Sequence, residues 1–314
     1  MTKRSQDFCS LSGLGLLVAL TLVACSSSED SGSHSSAAGA AVNNGGAGNG
    51  GAAAASDAGE SAGGAAPEPA LHVFSIQFDY RFDRAGFFDR PERKAALEAA
   101  ARAWSAVLSN DFLRIPAGTK LTLNDPEDRD RDVSVESLEE DIDDLLIFVG
   151  TSEAIPGYGR GGPSGTAESS DATLQKSFSN RQVGKRFQPW AGSISFKGSA
   201  DYFFDPTPET SEDVPQEKFD FISLATHEIG HVLGFASAPA FSALENGATF
   251  TGKAAVAAYG GEAVPLEADL GHLADGTESD GVEALMTPKL RNGIRQKPTT
   301  LDIAVLLDLG YSVK

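Results

Sequence analysis

A mixed α/β (α+β) domain is the fold class this sequence predicts, and three stretches predict it. Leu71 to Phe82 alternates Val73, Ser75, Gln77 and Asp79 with Phe74, Ile76, Phe78 and Tyr80, the two-residue period of a strand with one apolar, aromatic face. Leu97, Ala101, Trp104 and Leu108 recur at helical spacing, giving one apolar stripe suited to packing on a sheet. Leu145 to Val149 is a near-continuous apolar run bounded by acids and Gly150, as buried central strands are.

Composition divides the 314 residues before any element is placed. Residues 1–24 carry Lys3 and Arg4 and then an apolar run, Leu11 to Ala24, too short and too abruptly ended for a spanning helix. This reads as an export signal. Its end, Leu22-Val23-Ala24-Cys25, resembles the bacterial lipobox, in which cleavage leaves the cysteine as the lipid-bearing first residue. Cys25 is therefore the candidate lipidation site; an ordinary signal peptide ending near a cysteine is the alternative. Residues 25–70 are almost entirely Ser, Ala, Gly and Asn and cannot bury a core, so a disordered, lipid-anchored linker is expected there. Residues 71–314 form the folded part, read as two lobes over 71–236 and 237–314.

The formal charge of −19 argues against nucleic acid or an anionic lipid surface as a partner. Membrane contact is expected only through the N-terminal lipid, on a monomer displayed at the bacterial cell envelope, with the outer membrane favoured, or released outside the cell. After Cys25 there is no cysteine, so the folded part holds no disulfide although it reads as exported.

Along the folded part, Asp89 with Glu92 three residues on looks like a capping box, and Pro91 suits the first turn of the helix that follows; Asn110 is its expected end. Leu121 to Leu123 reads as a short strand. The acidic clusters Asp125 to Asp132 and Glu136 to Asp144 read as solvated surface charge, with Ca²⁺ binding as the alternative. Gly157 to Gly165 (GYGRGGPSG) reads as a loop; it lacks the Lys-Ser or Lys-Thr of a phosphate cradle and does not open a helix, which excludes a nucleotide site. Ala191 to Phe196 (AGSISF) alternates small polar with apolar residues and is expected to be an exposed edge strand able to pair with an extended peptide. The Pro- and acid-rich loop after it leads to Asp220, the expected N-cap of a helix from Phe221 to Leu233 that is apolar nearly all round and so belongs in the core.

That helix carries His227-Glu228-Ile229-Gly230-His231. Residues four apart share a helix face, so His227 and His231 can aim two imidazoles at one point, with Glu228 beside them as a base. Zn²⁺ suits such a pair, because two neutral imidazoles and one further ligand leave a fourth position for water. A chance pair of satisfied helix histidines is the bland alternative, and five histidines in the whole chain make the full motif improbable by chance.

Gly234 extends the motif to HExxHxxG, which resembles the metzincin metallopeptidases, where that glycine turns the chain out of the helix and a third His follows at the position held here by Ser237. A serine hydroxyl is a poor zinc ligand. His272 is the one histidine past the motif, and Met286 follows it in Ala-Leu-Met-Thr-Pro. This order resembles the leishmanolysin-like/matrixin-like group of metzincins, and in the leishmanolysin-like ones an insertion separates HExxHxxG from a later third His and a methionine turn lies under the metal; a gap-filling core Met is the alternative. Thr299 to Leu309 then forms a last helix, with Asp302 completing its capping box and Gly310 at the stop.

The resemblance implies a twisted, mostly parallel sheet with the active-site helix in the N-terminal lobe, and a small, mostly irregular C-terminal lobe with the last helix. It implies a zinc endopeptidase acting on protein or peptide, with His227, His231 and His272 as ligands, Glu228 as general base and Met286 in the Met-turn. A catalytically inactive surface binding protein on the same scaffold is the rival reading, motivated by Ser237 and the long linker. The departures from the family are Ser237 and Leu273, where leishmanolysin-like chains usually place Trp.

Overall fold

The computed structural model describes residues 72–181, 186–209 and 214–314. The export signal, Cys25, the linker and Leu71 lie outside the described residues. In chain order the elements are β1 (Ile76–Asp79), α1 (Pro91–Ser105), β2 (Lys120–Asn124), β3 (Asp132–Val135), β4 (Leu145–Thr151), β5 (Gly159–Pro163), β6 (Thr166–Glu168) and α2 (Ala172–Arg181). There follow β7 (Ala191–Phe196), β8 (Tyr202–Phe203), β9 (Phe219–Asp220), α3 (Phe221–Val232), α4 (Pro239–Ser242), α5 (Lys253–Ala258) and α6 (Thr300–Asp308).

The fold is mixed α/β around a mostly parallel sheet. Its strand order is β1-β4-β7-β5, with β1 and β7 parallel to β4 and β5 antiparallel to β7 at the edge. The apolar run in β4 is explained by burial on both faces. Leu145, Ile147 and Val149 join the principal core with α1 and α3, whereas Leu146 and Phe148 face a second cluster made by Leu121 and Leu123 of β2, Val135 of β3 and Phe178 of α2. Two helices therefore cover one face, and the small sheet β3-β2-β6 with α2 covers the other. The principal core continues without a break into Phe241, Phe250, Met286, Leu301, Val305 and Tyr311, so it is shared by residues before and after α3.

Four local expectations are corrected. The alternating stretch Leu71 to Phe82 forms a ladder only over Ile76–Asp79, where β4 lies beside it. Helix α1 is capped by Arg90 with no side-chain bond, because Asp89 belongs to a preceding 3₁₀ turn whose amides, Phe87 N and Phe88 N, donate to Asp83. The helix also ends at Ser105, well before Asn110, since Leu108 leaves it to bridge Val313 and Asn110 accepts from Ser312 N. Finally, Ala191 to Phe196 is not an exposed edge: β7 is buried throughout between β4 and β5, and the edge is β5, the glycine-rich stretch read as a loop.

Among the described residues no helix is long and apolar enough to cross a membrane.

Candidate metal centre

The helix that carries the motif is fixed at both ends. Asp220 caps it, accepting from Ser223 N at 3.0 Å and Ser223 Oγ at 2.7 Å. The buried Arg295 guanidinium then joins the Asp220 carboxylate at 3.0 Å to that of Asp205 at 2.7 Å. At the other end Gly234 takes φ 111°, a left-handed conformation that suits glycine, and Phe235 N reaches back to Gly230 O at 3.1 Å. Ser237 closes the same end: its Oγ donates to His231 O at 2.7 Å. Every residue of α3 is buried.

His227 and His231 face each other with Nε2 atoms 3.1 Å apart. Their other ring nitrogens sit on carbonyls, Nδ1 of His227 on Leu285 O at 2.7 Å and Nδ1 of His231 on Phe235 O at 3.1 Å. A carbonyl only accepts, so both Nδ1 atoms carry the proton and both Nε2 atoms present lone pairs toward one another. Burial, and then the neighbouring imidazoles, hold His227 well below the ordinary histidine range and bring His231 down to about 3. Both rings are neutral at physiological pH.

His272 completes the group. Its ring centroid lies 5.3 Å from that of His227 and 5.1 Å from that of His231, and one potential ligand nitrogen from each of the three lies within 4.8 Å of the others. Glu267 N donates to its carbonyl at 3.0 Å, Leu273 N donates to Met286 O at 2.9 Å, and Leu270 adopts φ 58° just before it. Asp269 Oδ2 stands 3.9 Å from His272 Nδ1, and the nearby His272 ring is the first cause that brings the Asp269 carboxyl down to about 2. The three histidines could therefore hold a metal ion. The 3.1 Å between the two motif Nε2 atoms is close to the roughly 3.3 Å that separates two nitrogens bound about 2.0–2.1 Å from one tetrahedral ion.

Met286 is fully buried beneath the helix. A Cβ built on Gly230, between the two motif histidines, would lie 2.5 Å from its Sδ and 3.3 Å from Trp104 Cζ2, so Gly230 admits both side chains. Sequence reasoning assigned Asp302 to the capping box of α6, and its carboxylate does accept from the N–H of Thr299, the N-cap. It missed the second role: the same buried carboxylate accepts from Leu285 N at 2.9 Å and Met286 N at 3.0 Å, tying the methionine turn to α6.

Glu228 is buried against β5. A Cβ on Gly159 would come 2.3 Å from Glu228 Oε1, and one on Gly161 would come 2.3 Å from Glu228 O. The sequence reading passed over this close approach; its signal was glycine at alternate positions, 159 and 161, in a stretch next to an apolar strand. The acidic clusters are engaged elsewhere. Asp125 pairs with Arg84 and Arg131, and Asp144 accepts from Ser75 N and Phe112 N, each at 2.7 Å, and pairs with His72. Asp144, Asp143 and His72 do lie close enough together to be grouped as potential ligands.

No protein-family model matches the chain, and no curated protein matches it.

Proposed function

We propose that this chain is a zinc-dependent endopeptidase of metzincin type, tethered to the bacterial envelope through a lipid on Cys25. The observation that carries the reading is the meeting of His272 with the HExxH pair, since chance histidines far apart in sequence would not converge on one buried point where the two motif rings already turn their Nε2 lone pairs toward each other.

His227, His231 and His272 would hold one zinc, which when bound supplies Lewis acidity to water and to the scissile carbonyl. The chain supplies the rest. Glu228 takes a proton from the attacking water on its carboxylate and returns it to the nitrogen of the leaving amine. Leu285 O and Phe235 O hold the two motif imidazoles in the tautomer that leaves Nε2 for the metal. Among the described residues strand β5 has one ladder neighbour, so its other side can take an extended peptide by main-chain pairing, the role first expected of β7. Because Gly159 and Gly161 rest on Glu228, a peptide laid beside them passes next to the base.

Cleavage of casein or a quenched peptide, lost with a zinc chelator and restored by zinc, tests the proposal. A second reading, a binding protein without catalysis, draws on a specific observation: His227, Glu228 and His272 expose none of their surface and His231 1 %. Metal-loaded protein with no chelator-sensitive cleavage would establish that reading instead.

A further inference from the structure

We propose that Arg129 and Ser193 form a binding site for a small inorganic anion, a halide such as chloride, on the face of the sheet opposite α3. The placement follows from strand alternation. A Cβ on Gly192 would strike Val232 of α3 at 2.4 Å, so Gly192, Ile194 and Phe196 face that helix and Ser193 and Ser195 face away from it. The segment after β2 lies over that far face. Ser195 Oγ donates to Pro126 O, and a Cβ on Gly150 would meet Glu127 Cγ at 3.0 Å. Arg129 comes from this segment and lays its guanidinium on the strands: Nη1 is 3.2 Å from Arg160 O, 3.3 Å from Ser193 O and 3.4 Å from Ser195 Oγ.

Only one edge of that guanidinium is used. Its Nε and Nη2 are out of contact with solvent and have no hydrogen-bond partner among the described residues, and the same is true of Ser193 Oγ. The Nε and Nη2 edge is the fork with which arginine grips anions, and the Ser193 hydroxyl, on the same face of the sheet and on a residue the guanidinium already touches, offers a third donor. The local acids do not compensate. Asp125 is paired with Arg84 and Arg131, and Glu127 with Arg84. Among charged groups acting on Arg129, Arg160 repels it and Glu228, across the sheet, is the one that attracts it.

Burial brings the Arg129 guanidinium down to about 9, which still leaves it charged at neutral pH. The pairing of Asp125 with Arg84 and Arg131 and the Asp125 N bond to Arg131 O at 2.8 Å hold both ends of the segment on the sheet. Water can satisfy donors, but an anion also offsets a buried positive charge. The requirement is for a compact, singly charged acceptor, which a halide meets.

The test uses the wild-type protein. Thermal unfolding is followed in sodium chloride and in sodium gluconate at equal ionic strength, and crystals grown in bromide are measured at the bromine absorption edge. A saturable rise of about 3 °C is expected in chloride but not in gluconate, with an anomalous peak between Arg129 and Ser193 Oγ. Arg129→Met should remove the chloride response, and Ser193→Ala should raise the half-saturating concentration severalfold. Should Arg129→Met fail to fold, the bromide map of the wild type decides alone. Equal stability in the two salts, stabilisation by acetate but not chloride, an equal chloride response in Arg129→Met, or ordered water where bromide is expected would each overturn the site.

Discussion

Gly161→Ala places a methyl group where the backbone of α3 already stands. Its Cβ would lie 2.3 Å from Glu228 O and 3.0 Å from Glu228 C, whereas ordinary contact begins at 3.4 Å, so strand and helix must separate by about 1 Å (3.4 − 2.3). Neither atom can rotate away, because both belong to a helix buried along its whole length. Overpacking of this kind costs about 1–3 kcal/mol. A displacement of about 1 Å at a catalytic group can cost on the order of a hundredfold in turnover. Gly159→Ala is the discriminating partner: its Cβ meets only the side chain of Glu228, at 2.3 Å from Oε1 and 2.8 Å from Cγ, which a rotamer change can relieve without moving the helix backbone. Urea unfolding and peptide cleavage, measured on both variants, should show Gly161→Ala losing stability and activity together. Gly159→Ala should lose activity with less than half the stability change. A Gly161→Ala protein within 0.5 kcal/mol of wild type, about the scatter of a neutral surface change, would refute close approach as the reason for glycine.

Two variants compete for the third ligand position. His272→Ala should release the metal and abolish cleavage, while Ser237→Ala, which removes a bond to His231 O and no ligand, should keep both, as metal analysis by mass spectrometry would read. Glu228→Gln should keep stoichiometric metal and lose orders of magnitude in kcat; full activity would remove the proposed base. Asp302→Asn puts an amide NH₂ among donors from Thr299, Leu285 and Met286, and should lower stability by about 1–3 kcal/mol in urea unfolding. An unchanged midpoint would deny that carboxylate its bracing of the methionine turn. Cys25→Ser should move the protein from the membrane fraction to soluble material if Cys25 carries lipid, as fractionation and immunoblotting would report.

What was legible in the sequence was what local chemistry encodes. The Asp220 cap, the apolar α3 and the Thr299–Asp302 box are each specified within a few residues, and each stands where the sequence placed it. Errors arose where a distant partner decided. The residues of β5 have the composition of a turn, yet they are glycine because a helix lies against them. The serines of β7 gave the strand a polar face, which suggested solvent; that face lies instead under Pro126 and Arg129. The cap of α1 was misplaced because Asp83 serves the turn before the helix. The motif histidines were readable from spacing, but the carbonyls that fix their tautomers were not, since Leu285 O belongs to a turn that only the fold brings near.

The motif helix and the methionine turn are braced by residues that follow all three histidines in the chain. Tyr311 Oη donates to Leu233 O at 2.8 Å, at the end of the motif helix. Phe187 N donates to Leu309 O, Ser109 N to Ser312 O and Lys314 N to Val107 O, each at 3.0 Å. A nascent chain that has just emerged through Met286 would own all three histidines and Glu228, yet would lack Asp302 to brace the methionine turn and Tyr311 to close the helix. Because contacts between segments distant in sequence form only once both segments are available, assembly of the centre waits on the segment that carries Asp302 and Tyr311. Chains broken off before residue 300 would carry every motif residue and lack both braces.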